Sequence, residues 1–269
     1  MRTTPQLDLD HALQVALNAA EQAAAAISAH RLHATQVELK ADQSPVTAAD
    51  RAAELAIRSV LQQHYPGHAI YGEEYGDHSD NSQRDSGCLW LLDPIDGTKS
   101  WIAGLPFWSI QIALMVQQQV VVGVSAAPAF DELACASTAH ASTLNQQPIR
   151  CSTTTALQHC RLSLGNISTL AADSARWRGL AAIIRQCNRV RGYGDYYHYH
   201  RLAAGQLDAV LESDVNILDI AALLLIVQSA GGIMSDTHGQ PIDLNTTSVL
   251  AAATPQLHHT LLTMLHEYV

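Results

Sequence analysis

Six consecutive residues hold the densest chemistry in this chain, Asp93-Pro94-Ile95-Asp96-Gly97-Thr98. Two carboxylates three positions apart leave an apolar run, Cys88–Leu92, that reads as a strand. Pro94 fixes a turn that lets both acids converge. Gly97 and Thr98 then offer backbone N–H groups suited to a phosphate. Hard oxygen ligands beside a phosphate cradle suit Mg²⁺ rather than zinc. An Asp-Pro turn with solvated acids is the plain alternative, and on these residues alone both readings stand. Two further acidic sites add weight to the first. Gly72-Glu73-Glu74 ends a short strand (Ala69–Tyr71), and Leu218-Asp219-Ile220-Ala221-Ala222 opens an apolar helix. An aspartate capping a helix is ordinary structural chemistry; three acidic strand ends or helix starts in one chain are less so.

The elements that must position these acids can be read from periodicity. Leu13, Leu17, Ala20, Ala24 and Ile27 recur at helical spacing within residues 9–30. A second helix starts at Thr47, where Thr47 and Asp50 have the spacing of a capping box, and Pro66-Gly67 stops it. Residues 75–87 form a hydrophilic, mobile loop. Trp108, Ile110, Ile112, Leu114 and Val116 alternate, Gln117–Gln119 turn, and Val120–Ser125 return, which makes a β-hairpin. Asp219–Ser229 is a buried helix closed by Gly231-Gly232, followed by a strand (Ser248–Ala252) and a helix (Pro255–His266). The Thr-, Gln- and Ser-rich stretch 142–156 marks a junction between subdomains 1–145 and 146–269 of a single compact unit.

The chain has 269 residues, 48% hydrophobic and 15% charged, enough apolar material for a large core. Its 25 acids outnumber 15 bases for a net charge of −10, and Lys40 and Lys99 are its only lysines. That balance argues against nucleic-acid backbone binding, and an anionic substrate needs a metal cation to offset the carboxylates. Asp8, Asp10 and Glu21 interrupt any signal peptide. The longest apolar run, Ile220–Val227, is shorter than the roughly 20 residues a bilayer requires. Cys88, Cys135, Cys151, Cys160 and Cys187 make no CxxC pair, so free thiols in a reducing cytoplasm are expected.

Ser44-Pro45-Val46-Thr47-x-x-Asp50, Gly72-Glu73-Glu74, Leu92-Asp93-Pro94-Ile95-Asp96-Gly97-Thr98-Lys99-Ser100 and Asp219-x-Ala221-Ala222 with Ala230-Gly231-Gly232 closely resemble the inositol monophosphatase family. These are Mg²⁺-dependent, lithium-sensitive phosphomonoesterases, and the resemblance runs over about residues 8–265. It implies an α/β (α+β) fold, the layered αβαβα sandwich of the inositol monophosphatase/fructose-1,6-bisphosphatase type, with the site between the halves. It also implies two or three Mg²⁺ per site and a homodimer. Glu73, Asp93 and the Ile95 carbonyl would hold a first metal that binds the attacking water. Asp93, Asp96 and Asp219 would hold a second, which stabilises the departing alkoxide. Thr98, paired with a carboxylate on the Ser-Pro-Val-Thr loop, would orient the water; that partner is assigned to Asp42, and Asp50 is left as a helix cap. Asp42, Thr98 and Glu73 are then the catalytic set, and the Gly97 and Thr98 N–H groups cradle the phosphate.

The resemblance implies a small phosphorylated metabolite as the substrate. Gly194-Asp195-x-Tyr197 before Leu202-Ala203-Ala204-Gly205, with Lys99-Ser100-Trp101-Ile102-x-Gly104-x-Pro106-x-Trp108, looks most like the histidinol-phosphate phosphatase branch. Asp195, Glu212 and Asp214 suit an ammonium; Tyr193, Tyr196, Tyr197 and Tyr199 are either a pocket wall on which an imidazole packs or simply core, and Asp219 completes the binding set. Inositol monophosphate is the alternative, since Glu212 stands where relatives carry an inositol-contacting glutamate. Adenosine 3′,5′-bisphosphate calls for cations, and only Arg191 and Arg201 are near. Leu218 replaces the Trp usual in relatives. A catalytically silent metal-binding scaffold is the reading from another class, and the complete acid set argues against it. His198 and His200, two apart on a helix, point in different directions and make no metal pair.

Overall fold

The structure, a computed structural model, describes residues 7–30, 37–39, 45–77, 79–80, 83 and 86–267. Helix α1 (Leu9–His30) buries a face made largely of alanine, including Ala12, Ala16, Ala19 and Ala23, so it lies close to its neighbours. Helix α2 (Ala48–His64) starts from Thr47, whose side chain caps it with Asp50 in the reciprocal arrangement its spacing predicted. Both helices cover one face of an eight-stranded sheet.

That sheet runs, edge to edge, Gln147–Pro148, His140–Leu144, Glu132–Ser137, Gln119–Ala127, Ser109–Val116, Cys88–Asp96, Ala69–Gly72 and Gly76–Asp77. Every pairing is antiparallel except that of Ala69–Gly72 with Cys88–Asp96. The expected hairpin turns through Gln117 and Gln118, both with positive φ, as a tight two-residue connection requires. Gly76–Asp77 forms a strand inside the stretch read as a loop; residues 78, 81, 82, 84 and 85 of that stretch lie outside the described residues. The expected division at 145/146 lies in the turn before the edge strand.

The second sheet has five strands in the order Arg189–Arg191, Arg161–Leu164, Ala209–Ser213, Ser248–Ala252 and Ile233–Ser235, the first three parallel. Short helices α3 (Thr98–Ile102) and α4 (Ser168–Ala172) follow strands. Helices α5 (Ser174–Gln186) and α8 (Pro255–His266) cover the outer face of the second sheet. Helices α6 (Asp195–Ala203) and α7 (Ile217–Ser229) fill the layer between the sheets. The order of layers is therefore αβαβα, as the sequence implied.

Helix α7 is apolar all round, with nine of its 13 residues buried, as befits a helix covered on both sides. It begins two residues before the predicted Asp219, because Asn216 is its N-cap and Asp219 its third residue. The helix presses so closely on the first sheet that a Cβ at Gly123 would lie 2.7 Å from the Ala222 carbonyl oxygen. Each fully buried Ile or Leu of such a layer contributes roughly 1.5–3 kcal/mol relative to exposure. Among the described residues, no helix is long and apolar enough to cross a membrane.

Candidate active site

The strand Cys88–Asp96 loses its regular register between Asp93 and Asp96. Pro94 has no N–H to give the ladder, so the pairing with Ser109–Val116 breaks there and both acids turn to one side. The Asp93 side chain accepts the Ile95 N–H at 3.0 Å, which closes the turn. Asp219 arrives from the first turn of α7. Oxygen atoms of Asp93, Asp96 and Asp219 lie within 4.8 Å of one another.

Glu73 sits on the turn after Ala69–Gly72, and its N–H donates to the Leu92 carbonyl at 3.1 Å, beside Asp93. Its carboxyl lies close enough to Asp93 to raise the pKa of that group. The turn is held from below by Glu54, a fully buried acid of α2. Glu54 accepts the Glu74 N–H at 2.7 Å and the Tyr75 N–H at 3.3 Å. Arg58, one helical turn on, donates to Glu54 at 2.7 Å and to the Gly76 carbonyl at 2.5 Å. Only glycine fits at position 72, where a Cβ would lie 2.1 Å from Glu54 Oε1.

Gly97, at φ +86°, starts α3, and a Cβ there would lie 2.6 Å from the Phe107 carbonyl oxygen. Thr98 follows, half-buried. Its hydroxyl lies 2.9 Å from the Ile95 carbonyl oxygen and 3.3 Å from Asp50 Oδ1. Asp50 Oδ2 meanwhile accepts the Thr47 N–H at 2.9 Å and the Thr47 hydroxyl. Asp42 lies outside the described residues; the carboxylate that they bring to Thr98 is Asp50, read from the sequence mainly as a helix cap.

The space beside Asp96 and Asp219 is equally acidic. Asp195, at the start of α6, and Glu212, on the second sheet, line a small cavity of about 20 Å³ together with Asp96, Asn166, Tyr199 and Asp219. Glu212 accepts the Tyr199 hydroxyl at 2.8 Å and lies 3.1 Å from His198 Nε2. A Cβ at Gly165 would lie 2.0 Å from Glu212 Oε1, so a glycine makes room for this acid. Asp214 is not part of the group. It turns outward with φ +59° and bonds Thr169 through side chain and backbone. His198 and His200 diverge as expected, the first to Glu212 and Ser163, the second to Ser125 and Glu132.

Burial, then repulsion from Glu73, Asp96 and Asp219, pushes the Asp93 carboxyl well above its usual range. Burial and the charges of Asp195, Asp219 and Glu212 do the same to Asp96 against a bond from Ser109. Asp219 is pushed up to about 7 and Asp195 to about 6, burial being the first cause for both; Glu73 and Glu212 add to the rise in Asp219, and Glu212 to that in Asp195. Such a concentration of acids is what a set of divalent cations would neutralise. The donor set, carboxylates with the Ile95 carbonyl, is the hard-oxygen kind that Mg²⁺ prefers.

Asp50 and Glu54 are the residues that the sequence reading missed. The signal for the second was the buried Glu54/Arg58 pair at i,i+4 on a helix otherwise packed with alanine and leucine.

Comparison with known proteins returns one family. A sequence profile of the inositol monophosphatase family matches residues 8–269. A histidinol-phosphatase of Mycobacterium tuberculosis is 36% identical over 211 residues, 76% of this chain and 78% of that protein. An inositol-1-monophosphatase of Synechocystis is 34% identical over 210 residues, 77% of this chain and 71% of that protein. Among solved structures, the extragenic suppressor protein suhB of Bartonella henselae superposes with a TM-score of 0.87 at 27% identity, over 96% of this chain and all (100%) of that one.

Proposed function

The chain belongs to the inositol monophosphatase family, metal-dependent hydrolases of small phosphomonoesters, and from that premise we propose that it dephosphorylates histidinol phosphate with Mg²⁺. One observation carries the choice of alcohol. The cavity beside the three clustered aspartates is lined by two more carboxylates, Asp195 and Glu212, and, among the described residues, by no cationic side chain. A substrate with an ammonium group fits that charge. Tyr193, Tyr197, Phe107 and Phe130 form a run of ring contacts next to Asp195 on which an imidazole can pack. A nucleotide bisphosphate fits poorly, because Arg201 is already paired with Glu132 at 2.5 Å and stacked over Tyr197. Inositol monophosphate is the second reading, favoured by Glu212, whose fixed carboxylate can accept hydroxyls.

Glu73, Asp93 and the Ile95 carbonyl would hold one Mg²⁺, and Asp93, Asp96 and Asp219 another. Bound there, the ions supply the positive charge that offsets phosphate and carboxylates and lowers the pKa of water. The chain does the rest. The N–H groups of Gly97 and Thr98 hold phosphate oxygens. Thr98 Oγ1 accepts a hydrogen bond from the attacking water and passes its own proton towards Asp50 Oδ1. Burial raises the Asp50 carboxyl against the opposing Thr47 bonds, which makes it a better proton acceptor.

The test is phosphate release from histidinol phosphate, inositol 1-phosphate and adenosine 3′,5′-bisphosphate in parallel. We expect kcat/KM for histidinol phosphate to lead by about 100-fold, about 2.7 kcal/mol of discrimination. Comparable weak rates on all three would leave the class and remove the substrate. No release from any would favour the scaffold.

A further inference from the structure

A line of buried polar side chains leaves the site through the middle of the first sheet. Asp96 Oδ2 accepts the Ser109 hydroxyl at 3.0 Å and the Tyr196 N–H at 3.2 Å, leaving Oδ1 for a ligand. Ser109 Oγ accepts from Gln111 Nε2 at 2.7 Å, and the same nitrogen donates to Ser125 Oγ at 3.0 Å. Ser125 Oγ lies 2.8 Å from His200 Nε2, and His200 Nδ1 lies 3.2 Å from Glu132 Oε2. Arg201 closes the line on Glu132 Oε1. Ser109, Gln111, Ser125 and His200 are all buried.

The direction of each proton follows from the ends. A carboxylate only accepts, so the single proton of Ser109 goes to Asp96, and Ser109 must accept from Gln111. Ser125 accepts the second Gln111 proton and is free to donate to His200 Nε2. His200 is then neutral with its proton on Nδ1, facing Glu132, and burial lowers its pKa accordingly. Gln111 is the point where the direction reverses. Its Oε1 is buried without a hydrogen-bond partner among the described residues. Flipped by 180°, this amide would satisfy Oε1 with the hydroxyls of Ser109 and Ser125, and Ser109 would turn away from Asp96. What opposes the flip is the demand of Ser125 for a donor, which exists because its own proton is committed to His200.

We infer that His200 is a positioning residue for the metal site, acting through Ser125, Gln111 and Ser109 to keep a hydroxyl aimed at Asp96. The inference rests on the reading of Asp96 as a metal ligand. Partners behind a ligand commonly change metal affinity by about 10–100-fold.

The experiment is calorimetric titration with Mg²⁺ alone, with thermal melting of each variant alongside. Ser125→Ala and His200→Asn should weaken Mg²⁺ binding about tenfold. His200→Gln, whose Oε1 can take the place of Nε2 as acceptor from Ser125, should restore most of it, although the contact with Glu132 is lost. A merely structural histidine would show changes in melting temperature without that Asn/Gln split. Losses below about fivefold in Ser125→Ala, or equal losses in the two His200 variants, overturn the inference. If Ser125→Ala does not fold, the His200 pair decides alone. Asp96→Asn is the control: unchanged Mg²⁺ binding there means the ligand assignment has failed, and the line of bonds loses its purpose with it.

Discussion

Two helices begin in the same way and serve the site differently. Both α2 and α7 open with a capping box whose third residue is an aspartate, Asp50 after Thr47 and Asp219 after Asn216. At α2 the cap takes Oδ2 of Asp50 with two bonds, and Oδ1 is left for Thr98. At α7 each oxygen of Asp219 takes one bond, from Asn216 N and Nδ2, both at 2.8 Å. One of these oxygens also lies within 4.8 Å of carboxylate oxygens of Asp93 and Asp96. Asp50 is fully buried behind Thr98, whereas Asp219 is open to the cavity. The lesson is that capping and chemistry are not alternatives for a helix-start aspartate. Which oxygen the cap engages decides the second role.

The comparison can be broken most severely at α7. Asp219→Asn keeps an acceptor for the cap but removes a charge from the ligand cluster; kcat/KM should fall by about 10³ or more, and Mg²⁺ titration should show weakened binding. Asp50→Asn should lower kcat by about 10²-fold while Mg²⁺ binding stays within threefold, since the group acts on a proton through Thr98. Thr98→Ala should fall as far, and combining it with Asp50→Asn should add little. If Asp50→Asn instead loses metal and Asp219→Asn does not, the two roles have been exchanged.

Smaller effects separate the caps from the chemistry. Thr47→Ala and Asn216→Ala should each cost about 1 kcal/mol of stability in urea denaturation. Thr47→Ala should also lower kcat a few-fold, because Thr47 orients Asp50. Another buried carboxylate, Asp208, supplies the contrast of an acid that has its cation. Burial opposes its charge, yet Arg161, donating from Nε and Nη2 at 2.7 and 2.9 Å, and Ser152 outweigh that and hold its carboxyl below the usual range. Its folded pKa is thus lower than its unfolded one, near 3.9. It contributes stability above about pH 4, and that contribution disappears as pH falls through the folded value. Asp208→Asn should therefore flatten the loss of stability between pH 5 and about pH 3, measured by urea denaturation.

Local features of the sequence carried the fold. The apolar run into Asp93, the hairpin around Gln117 and the strand and helix that close the chain each depend on neighbours in the chain, and each was legible. Two members of the aspartate cluster, Asp93 and Asp96, were legible because a proline and both acids sit within four residues. Asp50 was not, because its second partner, Thr98, lies 48 positions away. Nor was the turning out of Asp214, since nothing in its residue type announces a left-handed backbone. Ser109, Gln111 and Ser125 read as ordinary polar positions of a hairpin. Only the register that sets Asp96 beside Ser109 and Gln111 beside Ser125 makes them a connected line.

Helix α7 lies late in the chain and yet packs on the sheet formed by its first half. During synthesis, that sheet must therefore wait with an apolar face uncovered until residues beyond 229 have emerged. The same docking delivers Asp219 to Asp93 and Asp96. A nascent or truncated chain is thus left sticky and, on the proposed role of Asp219, catalytically inert, so that the appearance of activity would double as a report that assembly is complete.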